Sequence, residues 1–269
     1  MREHMEINRV RWDELVPIHA GSDMYRVELF RSGGVALQSI ELEELGDVSG
    51  KSLLHLQCHF GLDSLSWARL GAKVTAMDYS EPAIELARSL SAETGVEARF
   101  IHSNLYDLPD VLNEKFDIVF TSYGVLCWLP DIKAWAEIVA RYLKPGGTFY
   151  IVEGHSFMWG FETNADKTRV EWTYPYFTGD EPLVFDAPGT YADEHAEVQN
   201  TVTHEWNHPL GEIVTSLIDA GLRIDFLHEH QVIPWKPFPF VVEAGGGYYK
   251  LPYDIPSLPL MFSIKATRV

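Results

Sequence analysis

Residues 51–78 read KSLLHLQCHFGLDSLSWARLGAKVTAMD, and this stretch decides the fold. It opens with an apolar run of strand length at 52–56. A tight turn at 57–61 follows this run. Apolar residues then recur at near-helical spacing up to a glycine that stops the helix. A second apolar run at 74–77 ends on Asp78. The stretch therefore predicts a strand, a helix and a second strand parallel to the first.

Asp78 and Gly61 give this unit its chemical meaning. Two adjacent parallel strands leave a crevice at their carboxyl ends, where a nucleoside can lie. Gly61 lets the backbone approach a ligand closely, because no Cβ intervenes. A carboxylate at the tip of the second strand can accept hydrogen bonds from both hydroxyls of a ribose. Any doubly wound protein can place an acid there, so this stretch alone leaves a nucleoside site and a structural acid both open.

Composition limits the partners. The 269 residues fit one large domain, and 46% hydrophobic residues are enough for a sizeable core. Lys and Arg number 21 against 39 Asp and Glu, which gives a formal net charge of −18. Nucleic-acid binding needs basic patches, so we expect no nucleic-acid partner. The same field disfavours anionic membranes and favours neutral or cationic ligands.

Three features predict a cytoplasmic protein. The only cysteines, Cys58 and Cys127, lie in apolar contexts and indicate buried thiols rather than a disulfide framework. The first residues, MREHMEINRVRWDE, are charged throughout, unlike a signal peptide. No apolar run approaches the roughly 18 residues that span a bilayer. The oligomeric state, monomer or homodimer, is left open.

Strands and helices alternate along most of the chain. The predicted helices lie at 1–20, 35–45, 62–70, 80–95, 131–142 and 209–220, and the predicted strands at 52–56, 74–78, 98–102, 116–120, 148–152, 222–227 and 260–266. Such alternation predicts an α/β fold with a doubly wound, seven-stranded, mostly parallel sheet.

Two segments break this alternation. Residues 170–177 and 198–206 have alternating patterns and are predicted to pair as antiparallel strands. Residues 231–258 are rich in proline, glycine and aromatics, which predicts a long irregular loop. Long loops inside compact domains tend to be functional.

The segment 54–61, LHLQCHFG, together with seven strands and the Lys-Pro-Gly-Gly turn at 144–147, resembles the class I S-adenosylmethionine-dependent methyltransferases. The resemblance is close over 51–153 and looser over the last seventy residues. In that family the first motif usually reads LDLGCGTG. His55 therefore stands where an acid is usual, and Gln57 and His59 stand where glycines are usual. The LHLQCHFG form looks like a variant branch of bacterial enzymes.

The resemblance implies a Rossmann-like methyltransferase fold with S-adenosylmethionine as cofactor. It implies that Asp78 accepts the ribose hydroxyls, that Tyr79 packs on the adenine and that Asn104 meets the adenine amino group. His19, Ser22 and Tyr25 would lie over the cofactor as a cap. The full set of implied cofactor-binding residues is Tyr25, Gln57, His59, Gly61, Asp78, Tyr79, Asn104, Leu105 and Tyr123. Tyr79 and Tyr123 could equally be partly buried core aromatics.

The resemblance also divides the chain, as a single methyltransferase domain, into four parts. These are an N-terminal helical cap at 1–50, a cofactor-binding core at 51–153, an antiparallel lid or acceptor insert at 154–207, and the C-terminal half of the sheet at 208–269.

Two histidines are the candidates for catalysis. An activated methyl group mainly requires a nucleophile held in line in a dry pocket, and a base only if the acceptor must lose a proton. His155 follows the fifth strand and His204 approaches from the insert, so each is a candidate for acceptor positioning or proton removal. A structural role for each stays open. His204, Glu205 and His208 supply too few ligands for tetrahedral zinc, and no metal is expected.

Aromatic residues of the insert and the later loop predict a wall over the acceptor: Trp159, Phe161, Trp172, Tyr174, Tyr176, Phe177, Trp206, Trp235 and Phe238. Such a wall suits a small acceptor that is neutral, aromatic or cationic. The same residues could instead form a satellite core under a lid.

The predicted function is methyl transfer from S-adenosylmethionine to an oxygen, nitrogen or carbon atom of a small molecule. One alternative is a protein that binds S-adenosylmethionine without catalysis. Another is an NAD-dependent oxidoreductase, which is disfavoured because no G-x-G-x-x-G opens the first helix of the core.

Overall fold

The computed structural model describes residues 1–269 and is built on a seven-stranded sheet. Seven strands form this sheet, and six more form three two-stranded sheets. In chain order the strands are β1 (Ser52–Leu56), β2 (Lys73–Asp78), β3 (Arg99–His102), β4 (Phe116–Ser122), β5 (Leu143–Gly154), β6 (Phe161–Thr163), β7 (Val170–Trp172), β8 (Leu183–Asp186), β9 (Val202–Glu205), β10 (Leu222–His230), β11 (Val242–Gly245), β12 (Tyr248–Lys250) and β13 (Met261–Arg268). The helices are α1 (Arg2–Gly21), α2 (Val27–Arg31), α3 (Ser39–Leu45), α4 (Leu62–Arg69), α5 (Glu81–Thr94), α6 (Leu108–Val111), α7 (Ile132–Tyr142) and α8 (Leu210–Asp219).

The main sheet has the strand order β10-β13-β5-β4-β1-β2-β3. The five strands from β5 to β3 run parallel, whereas β13 is antiparallel to both of its neighbours. The chain winds outward from β1 to β3 and then returns to β4 on the other side of β1. This reversal creates a crevice at the carboxyl ends of β1 and β4, where open α/β sheets bind ligands. The predicted fold class is confirmed.

The local signals at the first helices of the core act as the sequence predicts. Gly61 precedes α4 with a φ of 78°, in the left-handed region. Ser80 caps α5 by accepting a 3.3 Å hydrogen bond from the backbone N–H of Ala83, and Gly95 ends that helix with a φ of 67°. Both helices are thus bounded by residues whose chemistry favours a boundary.

A hydrophobic core lies on each face of the sheet. Phe149 and Ile151 of β5 pack into the core that α7 and α8 cover. Tyr150 and Val152, which alternate with them, pack into the core beneath α4 and α5. Helices on both faces are therefore required to bury the two sides of one strand.

The N-terminal helix docks on β9 and on the chain between β8 and β9. The Asn8 side chain accepts a 2.8 Å hydrogen bond from the backbone N–H of His204 and donates a 2.7 Å hydrogen bond to its carbonyl oxygen. The Arg11 guanidinium donates to the carbonyl oxygens of Gly189 and Asn200 at 2.9 and 2.8 Å. These bonds hold α1 over the carboxyl edge of the sheet.

No helix has both the length and the apolarity that a bilayer crossing requires.

The predicted pairing of 170–177 with 198–206 is wrong. β7 pairs with β6, and β9 pairs with β8, in two separate two-stranded sheets. An alternating pattern identifies a strand but does not choose its partner. The Asn164 side chain closes the short turn between β6 and β7 by accepting from the backbone N–H of Thr168 at 2.8 Å, so the nearer partner wins.

The segment predicted as an irregular loop, 231–258, contains the hairpin of β11 and β12. Three consecutive glycines, Gly245–Gly247, all adopt positive φ and make the turn between the two strands. The glycine-rich composition that favoured a loop is thus the composition of a tight turn. The short helix α2 also has no counterpart among the predicted elements.

Candidate functional site

A cavity of about 770 Å³ opens at the carboxyl edge of β1, β2 and β4. Its walls come from the turn after β1, from α1, from the insert between β5 and α8, and from residues 234–237. Protein sites for small molecules commonly have volumes of roughly 300–1,000 Å³. The cavity therefore has room for a nucleoside cofactor beside a small acceptor.

The turn at 57–61 forms one wall and contains two strained residues. Gln57 and His59 have φ angles of 57° and 50°, in the left-handed region that glycine tolerates best. The Gln57 side chain donates a 3.0 Å hydrogen bond to the carbonyl oxygen of Val125, which ties the turn to the loop after β4. Side-chain and backbone bonds thus hold a conformation that glycines would adopt without them.

Asp78 stands at the end of β2 and faces this turn. Its Oδ2 accepts the backbone N–H of His59 at 2.7 Å, and its Oδ1 accepts that of Ser80 at 2.9 Å. Burial raises the pKa of the Asp78 carboxyl, and the backbone donors oppose this change. Each oxygen keeps further acceptor capacity, so the carboxylate can still receive hydroxyl donors from a ligand.

The loop that follows β4 is anchored by a buried carboxylate. Glu153 Oε2 accepts the backbone N–H groups of Val125 and Leu126 at 2.8 and 3.1 Å. Its other oxygen accepts from Gly124. Because three backbone N–H groups of this loop donate to its carboxylate, Glu153 supports the cavity wall and is not a free base.

Buried acids lie at the β4 end of the cavity. The Ser122 hydroxyl donates a 3.0 Å hydrogen bond to Asp63 Oδ2, and the Tyr123 hydroxyl donates a 2.7 Å bond to Glu41 Oε2. Burial raises the pKa of Asp63, and it raises that of Glu41 to about 8. Burial lowers the pKa of the neighbouring His55 to about 3, so His55 is neutral at pH 7. Glu41 therefore keeps its proton at pH 7, and no positive group at this end offsets Asp63.

Aromatic rings from α1, the loop after β4 and the insert also line the cavity. Trp12 of α1 meets Trp128 edge to face, with ring centroids 5.4 Å apart. The hydroxyl groups of Tyr25 and Tyr191 share a hydrogen bond. His19 Nδ1 lies 3.1 Å from His59 Nε2, which links α1 to the turn after β1. These contacts join the N-terminal cap to the insert above the sheet edge.

Most of the residues that the sequence associates with the cofactor line this one cavity. They are Tyr25, Gln57, His59, Gly61, Asp78, Tyr79, Leu105 and Tyr123. Asn104 is not among the lining residues, although the resemblance implies that it meets the adenine. Its side-chain oxygen caps the turn at 105–107 by accepting the Tyr106 N–H at 2.9 Å, and its amide faces Met5 Sδ at 3.5 Å.

The structure does not bring His155 to the cavity. Its Nε2 lies 3.0 Å from Glu229 Oε1, its Nδ1 accepts the Phe157 N–H at 3.0 Å, and its ring packs against Phe262. The residue follows β5 directly, but its side chain packs towards β10 and β13. His155 therefore lies outside the cavity walls, and its role in acceptor positioning or proton removal stays a prediction.

His204 is also outside the cavity. Side chains alternate along β9, so Thr203 and Glu205 line the cavity while the ring of His204 contacts that of His4 of α1, with centroids 4.7 Å apart. Glu205 is the residue that sequence reasoning missed. Thr203 donates a 2.8 Å hydrogen bond to its carboxylate, and burial raises its pKa. The alternation of β9 could have indicated Glu205, but the choice of face required the position of α1.

The predicted aromatic wall is divided by the structure. Trp159, Phe161, Tyr174, Trp206 and Trp235 line the cavity. The others do not: Trp172, Tyr176, Phe177 and Phe238 are absent from its walls, and Phe238 belongs to a small separate core around β12. Trp12, Trp128, Phe185 and Tyr191 line the cavity without having been predicted. Five of the nine predicted aromatics thus line the cavity, Trp172 and Phe177 are exposed, and a wall over an acceptor stays a prediction.

Comparisons with known proteins agree with this architecture. Residues 54–151 match the family model described as a methyltransferase domain. The ubiquinone biosynthesis O-methyltransferase of Xanthomonas euvesicatoria pv. vesicatoria is 35% identical over 119 residues, which cover 43% of this chain and 49% of that protein. The protein of the same name from Proteus mirabilis is 28% identical over 152 residues, which cover 50% of this chain and 62% of that protein.

A solved structure from Listeria monocytogenes, assigned to the S-adenosylmethionine-dependent methyltransferases, has a TM-score of 0.60. It is 19% identical and covers 90% of this chain and 99% of its own. The chain spans between 49% and 62% of the length of the two curated relatives. The fold is therefore the Rossmann-like fold of the methyltransferase structures, and residues 54–151 are similar to the methyltransferase domain described by the family model.

Proposed function

We propose that the protein binds S-adenosylmethionine in the 770 Å³ cavity and transfers its methyl group to a small-molecule acceptor. One observation carries the proposal. Asp78 ends β2 at the carboxyl edge of the sheet, faces the turn after β1 and keeps acceptor capacity towards the cavity. The methyltransferase fold and the matched domain support the same function.

The residues present fit this cofactor. Asp78 would hold the ribose hydroxyls, Tyr79 would lie against the adenine, and the backbone of Leu105 would meet the edge of the ring. The Oε1 atom of Gln57 is shielded from solvent and has no hydrogen-bond partner within the chain. Tyr25, His59, Gly61 and Tyr123 complete the proposed set. The cofactor supplies a methyl group on a positively charged sulfur atom.

The protein positions the two reactants and excludes water from the cavity. Trp12, Trp128 and Tyr191 cover the cavity and would shield the reacting atoms. Holding two reactants in line can lower a barrier by roughly 7–11 kcal/mol. Glu205 has the burial and raised pKa of a group that receives a proton from an acceptor. We propose Glu205 in place of His155 and His204 for that role.

The acceptor is proposed to be a small aromatic or cationic molecule, because aromatic rings and carboxylates line the end of the cavity formed by the insert. The curated relatives are named as O-methyltransferases of ubiquinone biosynthesis. A hydroxyl group on an aromatic ring is therefore the first acceptor class to test, with arylalkyl amines as the second.

Two measurements test the proposal. Calorimetry with S-adenosylhomocysteine, NAD and NADP should give binding of S-adenosylhomocysteine alone, and binding of NAD instead would favour an oxidoreductase. Incubation with S-adenosylmethionine carrying a labelled methyl group, together with a panel of phenols and aryl amines, should label a product. Binding without any labelled product would favour a non-catalytic binding protein.

A further inference from the structure

Asp63 lines the cavity, and only one of its two carboxylate oxygens receives a hydrogen bond from the chain. It is the second residue of α4 and lies at the carboxyl edge of the sheet. The Ser122 hydroxyl donates to its Oδ2 at 3.0 Å, whereas its Oδ1 accepts no hydrogen bond within the chain. Asp63 is half-buried, and its Oδ1 is not sealed inside the protein. This oxygen can therefore receive a hydrogen bond from a ligand in the cavity.

No cation of the chain neutralises this region. Burial raises the pKa of Asp63, and only the Ser122 hydroxyl opposes that change. Glu41 brings a second acid into the same wall and is fully buried. Arg26 also lines the cavity, but its guanidinium lies against Gly247 rather than in a salt bridge. A buried acid without a partner is costly, so a cationic ligand would stabilise it.

A second acceptor without a partner lies at the same edge of the sheet. His55 of β1 is opposite Phe120 of β4, so Gln57, which follows β1, and Ser122, which ends β4, both lie at this carboxyl edge. The Gln57 amide group is oriented by its 3.0 Å donation to Val125, and this leaves its carbonyl Oε1 buried and unpaired. The wall thus holds two acceptors that receive no donor from the chain. Asp63 Oδ1 is open to the cavity, whereas Gln57 Oε1 is shielded from solvent and must turn towards the cavity to meet a ligand.

We infer that Asp63 binds the α-ammonium group of the cofactor's methionine part, with the Gln57 carbonyl accepting a second N–H from the same group. This inference rests on the proposed function. An ammonium group donates three hydrogen bonds and carries a positive charge, which matches one carboxylate and one amide oxygen. A sulfonium has no N–H or O–H to donate and would leave the Gln57 oxygen unpaired. Glu41 acts as a positioning residue, because it holds the Tyr123 hydroxyl beside this wall.

The test compares three ligands by calorimetry on wild-type protein and on Asp63→Asn. The ligands are S-adenosylhomocysteine, its analogue without the α-amino group, and 5′-methylthioadenosine, which lacks the whole amino-acid part. Asp63→Asn should weaken S-adenosylhomocysteine about 10- to 100-fold, the range of a charged hydrogen bond. It should change the affinity of the other two ligands less than about twofold. Glu162→Gln, which neutralises an exposed acid elsewhere on the cavity wall, should change none of them.

The possible results distinguish ammonium binding by Asp63 from the proposed function itself. Equal losses for all three ligands would show that Asp63 only supports the fold, and unchanged affinity for S-adenosylhomocysteine would overturn the inference as well. Thermal unfolding of each variant identifies a loss caused by misfolding, and Gln57→Leu provides a second variant that should show the same ligand dependence. Failure of wild-type protein to bind any of the three ligands would instead defeat the proposed function.

Discussion

The hydroxyl group of Tyr123 donates a 2.7 Å hydrogen bond to Oε2 of Glu41. This contact joins the loop after β4 to helix α3, so it connects the wall of the cavity with the N-terminal cap. The backbone N–H of Gln38 also bonds the same carboxyl group, as part of a capping box at the start of α3. Glu41 is nevertheless fully buried and has no cationic partner, which makes its ionisation costly.

Glu41 should therefore make the stability of the ligand-free protein depend on pH. Its pKa is raised from 4.5 to about 8, so the folded chain retains a proton that the unfolded chain releases between these values. The contribution to stability falls as pH rises from about 4.5 to about 8. Glu41→Gln should raise the free energy of unfolding at pH 8 on the order of 3 kcal/mol, with little change at pH 4.5.

Urea unfolding at pH 4.5, 6.5 and 8 measures this effect. The matched control is Glu43→Gln, because Glu43 lies on the same helix but is exposed. It should change stability by less than about 0.5 kcal/mol at each pH. An unchanged pH slope in Glu41→Gln would mean that Glu41 keeps an ordinary pKa.

The left-handed backbone at Gln57 predicts a reversed order of substitutions. At φ 57°, glycine avoids a clash that alanine suffers, so Gln57→Gly should be more stable than Gln57→Ala by about 1 kcal/mol. Both variants lose the bond to Val125, so their difference isolates the backbone. At the exposed helix position Glu85, alanine should instead exceed glycine by about 1 kcal/mol. Chemical denaturation of the four variants measures these differences in the free energy of unfolding. If alanine is more stable than glycine at both positions, the backbone at Gln57 is not strained.

Gly61 has both a positive φ and crowded surroundings. A Cβ atom there would lie 2.7 Å from Phe100 and 2.9 Å from Ala87. Gly61→Ala should therefore lower the free energy of unfolding by about 2–4 kcal/mol, from strain and overpacking together. Gly211→Ala is the control, because a Cβ in that position of α8 meets nothing within 4 Å. It should be neutral or stabilising, and an equal loss in both variants would refute the predicted crowding.

Glu205 and His204 give a direct comparison of two neighbouring residues. If Glu205 receives the acceptor's proton, Glu205→Gln should lower kcat for methyl transfer by about 10²–10⁴ and leave the affinity for S-adenosylhomocysteine within about twofold. His204→Gln should retain kcat within a few-fold, since its ring packs against His4 outside the cavity. Labelled methyl transfer to an acceptor identified in the panel measures both. The opposite ranking would return the role to His204.

The parts of the fold that could be predicted depend on local chemistry. The β1–α4–β2 unit follows from an apolar run, a glycine turn and a second apolar run, and α5 follows from its Ser80 cap and Gly95 stop. The pairing of β7 and β9 was predicted wrongly, because an alternating pattern does not specify a partner.

The site could be predicted where the sheet edge alone places a residue, as for Asp78. It could not be predicted where a neighbouring element chooses the face. Glu205 rather than His204 lines the cavity because α1 covers the other side of β9. Trp12 enters the cavity for the same reason, since only the docking of α1 brings that ring over the sheet.

The central claim is that Asp78 binds the ribose of an adenosine cofactor at the carboxyl edge of β2. Calorimetric titration of S-adenosylhomocysteine into wild-type protein and Asp78→Asn tests it most directly, with thermal unfolding as the check that the turn after β1 still forms. Wild-type protein should bind S-adenosylhomocysteine, and the folded variant should bind it with an affinity at least about tenfold lower. Equal affinity in the two proteins, or no binding to wild-type protein, would contradict it.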